Sequence, residues 1–262
     1  MSDPLLLLIE TSTEVCSVAL CKGVNIISYR VVNEPKSHAR IIAVMVEEVL
    51  NDGGFTISNC DAVVVSEGPG SYTGLRVGVS LAKGLCYGAS KPLIAVSSLE
   101  LLAQLAIHTL AVDNTDKLHT ALSPGTIIVP MIDARRMEVY TAKFDYLCNP
   151  VSNTEAVILD ENSFSEELSK GTVIFVGVGA EKFQNIISLP NDTPNHNNDT
   201  VNLTKDTVNL TNAKFIKISA DARGMVIPAL KKYNSGEFVD VAYFEPFYLK
   251  DFVAGITKKR LF

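Results

Sequence analysis

Metal-ligand spacings are missing from this sequence. Its four histidines (His38, His108, His119, His196) form no His-x-x-x-His pair and have no glutamate placed for a shared metal, which excludes the common zinc signatures. The five cysteines (Cys16, Cys21, Cys60, Cys86, Cys148) are odd in number and contain no Cys-x-x-Cys, so neither a disulfide framework nor a zinc ribbon fits. There is no Gly-x-Ser-x-Gly elbow, and no cysteine context announces a nucleophile. Positive charge is in deficit: a net charge of -6 and a pI near 5.3 leave no footprint of a protein that binds nucleic acid alone. Long apolar runs are also absent. Leu5 to Ile9 is far too short to cross a bilayer, and the opening Met1-Ser-Asp-Pro-Leu5 carries no basic leader, so the chain is expected to be cytoplasmic and away from membranes.

What is present is a folding chain. A hydrophobic content of 47% supplies real cores, 20% charge argues against disorder, and 262 residues suit two modest domains or one two-lobed body. The organising stretch runs from Ala62 to Gly88. Ala62 to Val65 is short and β-branched and reads as a buried strand. Gly68-Pro-Gly70 then forces a turn, Ser71 or Thr73 caps a helix, and Gly88 is a natural stop. Gly74, Gly78 and Gly84 lie inside that helix, and each costs about 1 kcal/mol against alanine. Such a cost points to another backbone coming close along the glycine face. The loop can be read as a phosphate cradle or as a turn built for tight packing. It matches neither the P-loop nor the dinucleotide fingerprint, because Gly68, Gly70 and Gly74 have one residue too many, and tight packing is the favoured reading.

The remaining elements suggest a pattern that runs twice. Leu5 to Glu10, Val15 to Leu20 and Val24 to Tyr29 read as strands, the last two joined at Lys22-Gly23. Ser37 to Leu50 reads as a helix whose apolar residues span roughly 240° of the wheel, so burial on two sides is expected. Pro92 to Val96 is a strand before a helix reaching about His108. Past a polar link, Thr126 to Ile132 and Val139 to Phe144 read as strands. Val173 to Val176 leads through Gly177-Val-Gly179 into a helix from Ala180, and Ile216 to Ile218 leads through Ser219 into a helix to about Tyr233. Glu10 and Asp133 stand 123 residues apart, each closing an apolar strand before a polar turn. Two further echoes follow in the same order: Ile94-x-Val96-Ser97 with Ile216-x-Ile218-Ser219, and Gly68 with Gly177. A duplicated βββαβα lobe explains all three. The expected division is residues 1–108 for the first lobe and 109–262 for the second, with the helix 219–233 able to pack back on the first. A polar insertion at about 191–212 carries the tandem repeat Asp199 to Thr204 and Asp206 to Thr211. The apolar tail Phe244 to Asp251 is expected to dock on the second lobe, with Phe247, Tyr248 and Leu249 packed.

Duplication brings Glu10 and Asp133 to the mouth of one cleft, where carboxylates can serve a metal–phosphate group or can cap turns. Phosphate turns should be glycine-rich, and Ser12 and Arg135 occupy those places here, so capping is favoured. Glu10, Thr11 and Ser12 are the weak nucleotide candidates.

Leu5-Leu-Leu-Leu-Ile-Glu-Thr-Ser-Thr-Glu14, Glu67-Gly-Pro-Gly-Ser-Tyr-Thr-Gly-Leu-Arg-Val-Gly78 with Ala82-Lys-Gly84, and Val96-Ser-Ser-Leu99 resemble the TsaB (YeaZ) family. So do Ile132-Asp-Ala-Arg135, Glu138-Val-Tyr140 and the tail Pro246-Phe-Tyr-Leu-Lys-Asp251. The match covers nearly all of the first lobe and islands of the second. Glu10 departs from it, since Asp is usual there, and so does the Asn-rich insertion. The resemblance implies an α/β fold of two duplicated βββαβα lobes, like sugar kinases, heat-shock ATPases and actin. It further implies a non-catalytic, dimerising partner of the paralogue TsaD in making threonylcarbamoyladenosine in tRNA. The ATPase TsaE would be a further partner, and tRNA would be met indirectly as the substrate of the complex. TsaD has an Asn-His-x-Glu-Gly-His segment after the strand matching Pro92 to Val96, and Ser98 and Leu102 stand where its metal histidines would be. Leucine cannot ligate a metal.

The partner-binding residues expected from the two helices are His38, Ile41, Ile42, Met45, Val49, Gly74, Val77, Gly78, Leu81 and Leu85. No catalytic or metal residue is assigned and no cofactor is expected on this chain alone. Whether ATP or ADP lodges at the boundary of the complex, and whether two copies pair when alone, stays open. The alternative function is an independent nucleotide-dependent phosphotransferase of the same superfamily, which Ser12, Arg135 and the missing histidines disfavour.

Overall fold

A computed structural model describes residues 3–34, 36–112, 122–188 and 210–250. The expected insertion at 191–212 falls outside them except for its last three residues, and Asp251 of the tail does too. In the first lobe, β1 (Leu5–Glu10), β2 (Cys16–Lys22) and β3 (Asn25–Val32) lead to α1 (His38–Gly53), β4 (Ala62–Gly68), α2 (Tyr72–Ala89), β5 (Leu93–Ser97) and α3 (Ser98–Val112). The second has β6 (Ile127–Asp133), β7 (Glu138–Thr141), β8 (Phe144–Asp145), β9 (Glu155–Ile158), α4 (Ser165–Lys170), β10 (Val173–Val176), α5 (Ala180–Ser188), β11 (Ala213–Ile216) and α6 (Val226–Ser235).

The two sheets share one topology. Strand order is β3-β2-β1-β4-β5 in the first and β9-β7-β6-β10-β11 in the second, with the short β8 pairing β6 to one side. In each, the opening hairpin is antiparallel and the last strands are parallel to the first. This is the doubled βββαβα pattern of the sugar kinase, heat-shock ATPase and actin fold.

Side-chain alternation along β1 divides the core. Leu5, Leu7 and Ile9 point to α1 and α2, while Leu6 and Leu8 point to α3, which lies between the sheets with Ile128, Ile132 and Met225. α6 returns to the first lobe, where Lys232 Nζ donates to Ala95 O at 2.6 Å. A buried bond from Ala222 N–H to Ser17 Oγ (2.8 Å) adds a second tie between the lobes.

Several boundaries differ from the sequence reading. α2 runs past Gly88 to Ala89 and stops at Ser90, which takes the left-handed φ of 54° itself. Residues 139–144 form two strands, and β9 and α4 were not anticipated. The second lobe's last helix begins at Val226 rather than Ser219. Asp221 first caps a 3-10 turn (Ala222–Met225) that seats Gly224 against Leu101 O of α3. α3 itself continues past the expected lobe boundary at residue 108.

The glycines of α2 fall into two classes. A Cβ at Gly74 would sit 2.1 Å from Thr11 O, and one at Gly78 2.2 Å from Thr11 Oγ1, whereas Gly84 and Gly88 have nothing within 4 Å. Gly74→Ala should therefore destabilise the chain by about 1–3 kcal/mol, because backbone must shift. Gly84→Ala and Gly88→Ala should each stabilise by about 0.5–1 kcal/mol through lower unfolded-state entropy. Urea unfolding of the three variants checks the contrast, and equal effects would refute it.

Candidate functional site

The first turn is closed by the chain itself. Ser12 N–H and Ser12 Oγ–H both donate to Glu10 Oε1 at 2.5 Å, and Glu10, Thr11 and Ser12 are all fully buried. The glycine-rich loop lies on this turn: Ser71 N–H donates to Ser12 O at 2.7 Å, and a Cβ on Gly70 would fall 2.3 Å from that oxygen. Those amides are thereby occupied by the protein's own carbonyl, and tight packing is the arrangement observed. The three nucleotide candidates are consecutive and buried beneath the loop, where no room is left for a phosphate. The residues of this turn do not fit a nucleotide–metal group.

The equivalent second-lobe turn is half open. Asp133 pairs with Lys182 at 2.8 Å and accepts Arg135 N–H at 2.6 Å, while Lys182 also donates to Glu138 O. Gly177 repeats the positive φ of Gly68 (107° and 113°), each with a carbonyl where a side chain would be.

The expected partner face is redistributed. Ile42, Met45 and Val49 are buried in the first lobe's own core. His38 is buried as well, its Nε2 without a partner among the described residues. Gly74 and Gly78 face Thr11 rather than open space. Ile41, Val77, Leu81 and Leu85 are half-buried at the rim of that core. Between α1 and α2 lies an apolar groove of about 550 Å³, lined by Ala39, Ala43, Tyr72, Arg76, Val77 and Leu81 among others. Sequence reasoning missed the groove residues Ala39, Ala43 and Ser80. Their signal was small residues at four-residue spacing beside the apolar stripe.

The tail also departs from expectation, since it docks on the first lobe. Phe247 N–H donates to Glu67 O (2.7 Å), Tyr248 stacks 4.7 Å from Tyr72, and Arg76 Nε donates to Tyr248 Oη at 3.1 Å. Lys83 Nζ holds the carbonyls of Ala242 and Phe244 at 3.0 Å each. A ring and a cation on α2 seat Tyr248, and Lys250 reaches back to Glu138.

A family model described as "TsaD: tRNA N6-adenosine threonylcarbamoyltransferase" matches residues 32–258. The TsaB protein ("tRNA threonylcarbamoyladenosine biosynthesis protein TsaB") of Escherichia coli is 32% identical over 69% of this chain and 74% of its own length. The chain belongs to the TsaB (YeaZ) family. The Haemophilus influenzae TsaB is 38% identical over 53% of each chain, so this chain spans about half of that relative. A Pseudomonas aeruginosa structure titled as similar to "peptidase YEAZ" covers 94% of this chain and all of its own, with a TM-score of 0.70 at 24% identity, which shows the fold.

In this TsaB-family chain, Leu102 is buried and Ser98 Oγ has no partner, and no group of three potential ligands occurs among the described residues. Burial pushes the five thiols up to about 11 or 12, so none is a thiolate at neutral pH.

Burial also raises the Glu10 carboxyl from 4.5 to about 7, against the Ser12 hydrogen bonds that lower it and with nearby Asp221 adding slightly. The folded chain thus keeps a proton that the unfolded chain releases above pH 4.5. Stability should fall by about 3 kcal/mol between pH 4.5 and 7 on this account and level off above. Glu10→Gln should flatten that slope and unfold at a higher denaturant concentration than wild type at pH 8. An unchanged pH profile in the variant would overturn this.

Proposed function

We propose that this chain is a non-catalytic subunit of the machinery that makes threonylcarbamoyladenosine in tRNA, pairing with the catalytic paralogue TsaD through the α1–α2 groove. The observation that carries the reading is the closed first turn. In an enzyme of this fold that turn must open to phosphate, and here the loop 68–71 fills it. Groove residues outside the core support the pairing, because they leave apolar surface that packing within the lobe does not use. Relatedness to the TsaD family model supports a paralogous partner with an equivalent pair of helices. TsaE joins as the ATPase, any nucleotide is held at a subunit boundary or by the partners, and tRNA is the substrate of the whole. When the paralogue is missing, two copies of this chain meet through the same groove. The work of the complex places the chain in the cytoplasm.

Pull-down of the paralogue with full-length chain tests the pairing. Ala43→Arg puts a charge into the groove without touching the core and should weaken pairing at least tenfold while circular dichroism stays unchanged. Met45→Asp and Gly78→Leu should instead unfold the lobe. The purified chain should show no ATP turnover approaching about 1 per second. Normal pairing by Ala43→Arg, or metal-dependent turnover by the chain alone, would overturn the reading.

A further inference from the structure

The tip between β6 and β7 carries two features that the partner role does not use. Arg135 and Arg136 are consecutive and exposed, and both have left-handed backbone, with φ of 72° and 48°. Hairpin positions with positive φ favour glycine, asparagine or aspartate, and a left-handed residue of any other kind costs about 1–2 kcal/mol. Two arginines there run against local preference. Neither guanidinium has a hydrogen bond or ion pair among the described residues. The acids beside them are already neutralised, Asp133 by Lys182 and Glu138 by Lys250. Residues 133–138 with their ion-pair partners hold four cations against two acids, and Asp160 and Glu161 follow Leu159, whose N–H donates to Met137 O.

We propose that Arg135 and Arg136 contact the phosphate backbone of the tRNA on which the complex acts, a reading that rests on the function proposed above. On an acidic chain a local excess of cations favours the approach of a polyanion, and the tip is such a place among the described residues. Planar guanidinium groups without carboxylate partners can each engage two phosphate oxygens. Met137 and, across the strand pair from Glu138, Ile158 supply exposed apolar surface beside the arginines, so a protein seated on the tip is the competing occupant that the pairing measurement below tests. The contact is to backbone, so it adds affinity and orientation without base preference.

The test uses the full chain in complex with its catalytic paralogue and an unmodified transcript of a tRNA reading codons that begin with A. Binding is followed by fluorescence anisotropy across a salt series. Arg135→Gly with Arg136→Gly suits the left-handed backbone and keeps the fold. It should weaken binding roughly tenfold near 0.1 M salt and reduce the salt slope by about two, one per lost phosphate contact. Arg135→Lys with Arg136→Lys should recover most of both. An unchanged slope in the glycine pair, with pairing to the paralogue intact, overturns the tRNA contact alone. Loss of pairing in the glycine pair would make the tip a protein contact and overturn it too. Failure of the wild-type chain to pair at all would sink the function and this contact together.

Discussion

Thr11 O lies against Gly74 of α2 and Ser12 O against Gly70 of the loop before it, at distances where a single methyl group would collide. This contact, with backbone oxygens against Gly70 and Gly74 and the Thr11 side chain against Gly78, is what the first lobe depends on. It needs glycine at 70, 74 and 78 together, because each removes a Cβ at a different point along the same seam. It also converts a loop of phosphate-cradle shape into a plug. The Ser71 amide, at the start of a helix where anions are ordinarily welcome, bonds instead to Ser12 O.

Closing the seam has an electrostatic consequence. Glu10 ends β1 with one oxygen held by Ser12 and the other without a partner, in surroundings that favour its neutral form. A carboxylate that serves a metal needs the opposite environment. The burial that makes the lobe tight is also what the proposed non-catalytic role rests on. What remains outside the packing is a groove between two helices, bordered by Tyr72 and Arg76, the residues that seat Tyr248 of the tail. The tail also reaches Glu138 through Lys250, so the α1–α2 groove, the tail and the second lobe are linked through one short segment.

The second lobe shows how duplication diverges. Gly177 and Gly179 hold Met131 O much as Gly68 and Gly70 hold Phe247 O and Ser12 O, but Asp133 stays half exposed and paired. One copy of the turn has become core; the other has kept a charged, accessible tip.

Much of this was legible in the residues. Apolar strands closing on Glu10 and Asp133, the spaced Gly-x-Gly turns and the block from Glu67 to Gly78 were enough for the doubled topology and the family, because period, turn chemistry and motif spacing are local properties of a chain. The helix glycines also announced a close approach. What approached them was decided only by tertiary structure: Thr11 is 63 residues from Gly74, and no local pattern says whether a neighbour is one's own strand or another protein. For the same reason Met45 and Val49 read as surface for a partner yet lie in the core, and the tail read as second-lobe packing yet seats on α2. Hydrophobicity states that a residue will be buried; only the three-dimensional path of the chain states against what.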